Sequence, residues 1–230
     1  MKKWPALILV VMWCFLAGCD NGTGGGDPEE PFYGLTSIEE VAEYLTDSKQ
    51  DGTNPDNPVE LAVKVSASEW EQLFMVIDQA DKFVALDISR CYDVPQEFNI
   101  YMPYYQAKIV SLILPVGITT IRNGTFHDNP ILRHIGLPGG LKTIGESAFI
   151  HCMGLTEIDL PASLTAIGGS AFAYCPNLTR VICRATTPPQ MPLMAFDNKP
   201  DDPVVIEVPA ASLAAYKAAW IFCADKIRSM

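Results

Sequence analysis

Residues 155–178 read LTEIDLPASLTAIGGSAFAYCPNL, and this stretch recurs through the second half of the chain. Its landmark residues return every 23 positions. The columns that keep this spacing are Pro115, Pro138 and Pro161; Ile121, Ile144 and Ile167; Phe126, Phe149 and Phe172; Leu132, Leu155 and Leu178; and Leu112, Ile135, Ile158 and Val181. A sustained period of this length is typical of a solenoid, in which each unit buries its apolar residues against its neighbours.

Each unit contains two short extended segments. The alternation of Leu155, Ile158 and Leu160 predicts a short strand with one buried face. Pro161 ends that strand because proline has no N–H to donate to a neighbour. A second extended piece follows and ends at Gly168. Stacked units then form parallel strands that satisfy one another's backbone groups.

These residues resemble the BspA-like leucine-rich repeats of bacterial surface proteins, whose units carry a Leu-Pro, Ile-Gly and Ala-Phe-x-x-Cys pattern. The resemblance covers residues 109–183 and extends more loosely over 184–228. The first unit departs from it, with Thr125 in place of Ala and Asn129 in place of Cys. The resemblance implies an α/β fold, a leucine-rich-repeat solenoid with 23-residue units. For longer relatives it also implies adhesion to host proteins or to other bacteria.

Capping segments are expected at both ends, since the end units of a solenoid would otherwise expose apolar faces. We predict an irregular α/β N-terminal cap over residues 33–108, repeats over 109–209 and a C-terminal capping helix over 210–230. The N-terminal cap should contain a helix at 37–47, strands at 61–65 and 83–89, and a helix opened by the capping box of Ser68 and Glu71. Leu86 stands 23 positions before Ile109, which places it in the stack. The C-terminal helix should span 211–226 and bury a stripe of four residues: Leu213, Tyr216, Trp220 and Cys223.

The first eighteen residues have the pattern of an export signal. Lys2 and Lys3 precede an apolar run at 6–16 that is too short to span a bilayer. The run ends in Leu-Ala-Gly before Cys19, which resembles the lipobox of bacterial lipoproteins. That resemblance implies lipid attachment at Cys19, so the chain would be held to a membrane by its acyl groups. Residues 19–32 then read as a flexible tether.

Charge argues against two classes of partner. The chain has 16 basic and 27 acidic side chains, and removing residues 1–18 lowers the formal net charge from −11 to −13. Nucleic acid and anionic lipid surfaces are therefore not expected as partners.

Five of the seven cysteines remain once Cys14 leaves with the signal and Cys19 is acylated. They are Cys91, Cys152, Cys175, Cys183 and Cys223. Their spacing is not that of a disulfide scaffold. Export to an oxidising compartment allows one bridge, and free buried thiols are the alternative.

Catalytic and metal-binding constellations are not predicted. Ser147 and Ser170 follow glycines as a nucleophile would, but they occupy the same position of successive units, which favours a helix-cap or turn role. His127, His134 and His151 show neither His-x-x-x-His spacing nor a paired acid, so no metal site is expected.

The acid-rich segments 47–56 and 197–202 lack the order of an EF-hand, and turn chemistry or a weak calcium site explains them. We expect neither an enzyme nor a bound cofactor.

The surface suited to recognition is the outward face of the first strand of each unit. Its positions are Ser111, His134, Glu157, Asp159 and Arg180, which should stack a strand spacing apart. The alternative is that these side chains are solvated and bind nothing, because no aromatic or strongly apolar residue marks a hot spot. Ile113, Gly136 and Ile182 accompany them.

The leading hypothesis is a non-catalytic, lipid-anchored module that binds an extracellular or envelope protein, for instance a host matrix protein. It would reside in the cell envelope, at the outer membrane or cell surface in preference to the periplasmic face of the inner membrane. The alternative is a structural or assembly scaffold facing the periplasm. Asp20 bears on that alternative, since in enteric bacteria this residue retains lipoproteins at the inner membrane.

Overall fold

The computed structural model describes residues 34–47, 52–100, 109–192, 195–196 and 204–230. The predicted signal segment, Cys19 and the tether lie outside these ranges. The helices are α1 (Ile38–Thr46), α2 (Trp70–Gln79) and α3 (Leu213–Ala219). The strands are β1 (Val59–Ala62), β2 (Val84–Asp87), β3 (Glu97–Phe98), β4 (Ile109–Ile113), β5 (Thr120–Ile121), β6 (His134–Gly136), β7 (Thr143–Ile144), β8 (Glu157–Leu160), β9 (Ala166–Ile167), β10 (Arg180–Cys183), β11 (Val205–Val208) and β12 (Ile227–Ser229). Among the described helices, none combines the length and the apolar composition that crossing a membrane requires.

The described strands form three parallel sheets of four strands each. Their orders are β1-β2-β4-β6, β12-β11-β10-β8 and β3-β5-β7-β9. Glu157 pairs with Arg180, which lies 23 positions later in the chain, and Thr120 pairs with Thr143 in the same manner. The predicted solenoid of stacked parallel strands is therefore confirmed.

A stack of phenylalanine rings runs along the core of the repeats. Its members are Phe98, Phe126, Phe149, Phe172 and Phe196. Successive ring centroids are 5.7, 5.0, 5.2 and 5.1 Å apart, and the planes are within 15° of parallel. Each such pair contributes roughly 0.5–1.5 kcal/mol beyond the burial of its apolar area. Ile158 and Val181, from the first strand of their units, are buried in the same core.

Successive units share an unusual turn after the second strand. At two of its positions the backbone has positive φ, which is uncommon for residues other than glycine. The first position is held by Gly124, Ser147 and Ser170, with φ of 65°, 54° and 55°. The second is held by Asp128, His151 and Tyr174, with φ of 55°, 60° and 56°. Of the two roles predicted for Ser147 and Ser170, helix cap or turn, the structure has the turn. Three different side chains occupy the second position.

The five cysteines predicted to remain after processing are free and buried. The thiol of Cys152 donates to the carbonyl oxygen of Phe126 at 3.1 Å, and that of Cys175 donates to Phe149 at 3.1 Å. Both cysteines thus bind the backbone of the preceding unit. Of the two alternatives drawn from the sequence, the structure has free thiols.

The N-terminal region begins with α1, where the Ser37 side chain accepts a hydrogen bond from the backbone of Glu40 at 3.2 Å. The capping box before α2 lies two residues earlier than predicted, because Ser66 and Glu69 form it in place of Ser68 and Glu71. The backbone N–H of Ser66 donates to Glu69 at 2.9 Å. Ser66 also forms an isolated β-bridge with Tyr92. The chain leaves the strand there and makes a 3-10 turn before α2.

The pairing of β2 with β4 does not follow the 23-residue spacing between Leu86 and Ile109. Leu86 pairs with Leu112 and not with Ile109, which pairs with Val84. The offset is 25 residues at Val84 and Ile109, and a β-bulge that leaves Val110 as an extra residue on β4 raises it to 26 from Ala85 onward.

The C-terminal helix α3 is shorter than its predicted span of 211–226. The region 210–230, predicted as a capping helix, ends in a strand. Helix α3 stops because Trp220 leaves helical geometry, with φ of −106° and ψ of 53°. Its buried indole N–H donates to the carbonyl oxygen of Pro189 at 2.9 Å. The chain then forms a 3-10 turn and β12, which pairs with β11. Three residues of the predicted stripe, Tyr216, Trp220 and Cys223, are buried, whereas Leu213 is half-buried.

Candidate functional site

The polar side chains on the outward strand face form more hydrogen bonds and ion pairs with one another than the sequence indicates. His134, Glu157 and Arg180 are exposed, and Asp159 is half-buried. The prediction that Ser111 belongs to the outward surface is corrected, because Ser111 is only 7% exposed. It lies between Ala85 and His134 in the sheet, where its short side chain is covered. The accessible part of this face is therefore centred on β8 and β10.

Arg180 joins three strands of this face. Its Nη1 atom lies 2.9 Å from Oε2 of Glu157 on β8, and its Nη2 atom lies 2.7 Å from Oε2 of Glu207 on β11. These hydrogen bonds, led by the one to Glu207, raise the pKa of Arg180 further above its usual value. Sequence reasoning missed Glu207 because β11 belongs to the part of the chain where the repeat pattern is loose.

Asp159 has its own partner in Arg184, which directly follows β10. The guanidinium donates from Nε to Oδ1 at 2.8 Å and from Nη2 to Oδ2 at 2.7 Å. This two-point geometry fixes both side chains more firmly than a single contact does. Arg184 was also missed, although its position one residue beyond the strand could have indicated it. We call Glu157, Asp159, Arg180, Arg184 and Glu207 the charged strand face.

His134 stands at the edge of this surface on β6. Partial burial lowers its pKa, the positive charge of Arg133 lowers it further, and the negative charge of Glu157 opposes both. The imidazole therefore favours its neutral form at pH 7. The charged strand face then presents three carboxylates and two guanidinium groups, nearly balanced in charge and paired with one another.

A second group of polar side chains meets on the turns that follow β5 and β7. His127 Nε2 lies 2.7 Å from Oδ2 of Asp128, and His151 Nδ1 lies 2.6 Å from Oδ1 of the same carboxylate. The prediction that the histidines lack a paired acid is therefore wrong. The pairing escapes a search for His-x-x-x-His spacing because Asp128 and His151 are 23 positions apart and are brought together by stacking. We call His127, Asp128 and His151 the histidine–aspartate cluster.

Backbone hydrogen bonds between units hold this cluster. The N–H of Asp128 donates to the carbonyl oxygen of Ile150 at 2.9 Å, and that of His151 donates to Ala173 at 3.0 Å. The ring of Tyr174 packs against that of His151, with 4.9 Å between centroids. The ligand-bearing residues are thus fixed by the stacking of turns and by an aromatic neighbour.

An open groove of about 390 Å³ adjoins the cluster. Its lining consists of Asn123, Gly124, His127, Glu146, Ser147 and Ile150. His127 belongs to both the groove and the cluster, so a molecule in the groove would touch one member of the cluster. The acid-rich segment 197–202 lies outside the described residues, and the segment 47–56 is described only in part.

Comparison with known protein families agrees with this architecture. Residues 98–199 match the family described as BspA type Leucine rich repeat region, in 6 copies. A leucine-rich repeat protein of T. pallidum is similar in structure, at 20% identity and a TM-score of 0.43, over 71% of this chain and 84% of that one. A leucine rich cell surface protein from Faecalibacterium prausnitzii is 18% identical with a TM-score of 0.34, over 61% of this chain and 43% of that one. No curated protein matches the chain.

Proposed function

Because residues 98–199 are a BspA-type leucine-rich repeat region, we propose that the protein is a non-catalytic binding module of the bacterial cell envelope. It recognises another protein through the charged strand face. The observation that carries this proposal is the network in which Arg180 bonds Glu157 and Glu207 across three strands. Parallel strands hold these side chains in fixed columns, which suits a repeated, extended contact.

The network also indicates the chemistry of the partner. The side chains of Arg180 and Glu157 are each 45% exposed, so their ion pair lies in water. Exposed pairs of this kind are worth only about 0–1 kcal/mol, and exchanging one partner for a group on another protein costs little. A protein surface carrying both lysine or arginine and carboxylate side chains would form new pairs with both signs. Such complementarity favours specificity and fast association.

Lipid attachment at Cys19 completes this proposal. Acyl chains on that cysteine would hold the module to a membrane, and residues 20–32 would let it stand off the surface. The partner would then be an extracellular or envelope protein, such as a host matrix protein, and the module would lie at the outer membrane or cell surface. Metabolic labelling with a radioactive or clickable fatty acid tests the anchor, and labelling that persists in Cys19→Ala contradicts it.

Binding to immobilised extracellular matrix proteins and to intact bacterial cells tests the recognition face. Replacing Glu157, Asp159 and Arg180 together by alanine should weaken binding by about tenfold or more, which is about 1.4 kcal/mol. Lys142→Ala is the matched control, because Lys142 is exposed and lies outside the charged strand face. Equal affinity of the triple variant and the control would move the recognition site to another surface.

The second candidate function is a scaffold of the envelope that faces the periplasm, and Asp20 directly after Cys19 favours it. Digestion of intact cells with a protease separates the two. A surface module is cut without breaking the cells, whereas a periplasmic scaffold is cut only after the outer membrane is opened. Protection in intact cells would therefore replace the adhesion proposal with the scaffold.

A further inference from the structure

The histidine–aspartate cluster offers three donor atoms at one point of the surface. Each histidine offers a ring nitrogen and Asp128 a carboxylate oxygen, and the three atoms lie within 4.8 Å of one another. The ring nitrogens that face the carboxylate are Nε2 of His127 and Nδ1 of His151. The three side chains are 34%, 52% and 39% exposed, so a hydrated ion can reach them. Two imidazoles and one carboxylate are a common donor set for zinc, whereas calcium prefers oxygen ligands alone.

We propose that His127, Asp128 and His151 form a site for a divalent transition-metal ion, with Zn²⁺ as the ion that fits the donors best. This goes beyond the proposed recognition function, since the cluster lies on the turns after β5 and β7 and shares no residue with the charged strand face. The ion would join two successive units of the solenoid across their turns.

The geometry of the cluster is close to what metal binding requires. Each ring nitrogen now lies 2.6–2.7 Å from an oxygen of Asp128, as in a hydrogen bond in which the ring donates. To bind an ion, each neutral ring carries its proton on the other nitrogen, Nδ1 in His127 and Nε2 in His151. Metal–ligand distances of about 2.0–2.2 Å then need the carboxylate to turn aside slightly while the backbone stays in place.

The backbone of the site is held by the fold itself. Asp128 and His151 occupy the same turn position of consecutive units and have nearly the same φ, 55° and 60°. Each donates its N–H to the following unit, and the ring of Tyr174 limits the movement of His151. Ligands that are fixed before the ion arrives lose little freedom when it binds.

The groove beside His127 leaves room for a further ligand. Three protein donors fill three positions of a tetrahedral zinc ion, and water or a side chain of a bound molecule fills the fourth. Glu146 and Ser147 line the groove and can contact that ligand. The site is therefore an open one, able to accept a carboxylate or imidazole from outside the chain.

Calorimetric titration of the full-length protein with ZnCl₂, after removal of reductant, tests the site. We expect one ion per chain, and at least tenfold weaker binding in His127→Ala, Asp128→Asn and His151→Asn. Asparagine tolerates positive φ, so the last two variants keep the turn while removing a donor. His134→Asn is the matched control, because His134 lies on β6, away from these turns. It should bind zinc as the unmodified protein does.

Three results would overturn the proposal. The first is the absence of zinc binding up to millimolar concentration in the unmodified protein. The second is unchanged affinity in Asp128→Asn and His151→Asn, provided that circular dichroism shows both variants folded. The third is a sulfur shell at about 2.3 Å in the zinc X-ray absorption spectrum, which would assign the ion to cysteine. A shell of nitrogen and oxygen at about 2.0–2.2 Å, with imidazole scattering, supports it.

Discussion

A side chain placed on Gly168 would collide with the backbone of Glu146. The Cβ atom would overlap the backbone nitrogen of Glu146, so two successive turns pack backbone against backbone at this point. Gly168→Ala should therefore lower the free energy of unfolding by about 2–4 kcal/mol, since the turns must separate to admit the methyl group. Denaturation by urea, followed by circular dichroism, measures the loss.

Gly169→Ala is the control for this substitution, because a Cβ there meets nothing within 4 Å. It should change stability by no more than about 1 kcal/mol in either direction. Equal losses in the two variants would mean that the contact between turns does not determine the stability of this region.

Phe149 is the middle ring of the phenylalanine stack, with neighbours at 5.0 and 5.2 Å. Phe149→Ala should destabilise the protein by about 3–5 kcal/mol, because it opens a cavity and breaks two ring contacts. Met153→Ala provides the comparison, since Met153 is 50% exposed and packs little. A thermal melt of both variants is sufficient, and similar melting temperatures would contradict the importance of the stack.

The buried thiols should resist modification while the protein is folded. Burial raises the pKa of Cys223 to about 11, so almost none of this thiol is ionised at pH 8. We expect iodoacetamide at pH 8 to leave Cys91, Cys152, Cys175, Cys183 and Cys223 unmodified in the native state and to label all five in denaturant. Mass spectrometry of tryptic peptides reads out each site. A pair that stays unlabelled in denaturant until a reductant is added would reveal a disulfide.

His134 should titrate below the usual histidine range. Burial lowers its pKa, so the unfolded chain binds more protons than the native one as pH falls through about 6.5, and stability decreases over that window. An NMR titration of the ring protons follows the midpoint directly. Arg133→Gln should raise that midpoint by removing a positive charge, whereas Glu157→Gln should lower it. A midpoint that does not move in either variant would exclude the electrostatic explanation.

The spacing of apolar residues predicted the strands and their stacking because both follow from burial. The column of Leu112, Ile135, Ile158 and Val181 recurs at one interval and each member is buried, as a shared core requires. The capping box was misplaced by two residues because Ser66 and Ser68 are each followed by a glutamate three positions later. Tertiary contacts select Ser66, namely its bridge to Tyr92 and the hydrogen bond from its hydroxyl to Asp93 at 3.4 Å.

Contacts between units were the part that the sequence did not reveal. The bonds from Arg184 to Asp159 and from His151 to Asp128 span 25 and 23 positions, so local motif searches pass over them. The end of α3 was likewise unpredicted, because helix-forming residues continue past it. The indole of Trp220 reaches Pro189, and that distant hydrogen bond holds the chain outside the helix.

The turn position shared by Asp128, His151 and Tyr174 accepts side chains of different chemistry. Backbone shape there is imposed by the neighbouring turns, since an acid, an imidazole and a phenol all adopt nearly the same φ. Replacing Tyr174 by aspartate would add one more polar side chain to the column formed by Asp128 and His151, with no new loop and no change in the path of the chain. In a short solenoid of this kind, a functional side chain can therefore move to the equivalent position of the next repeat without a change in the fold.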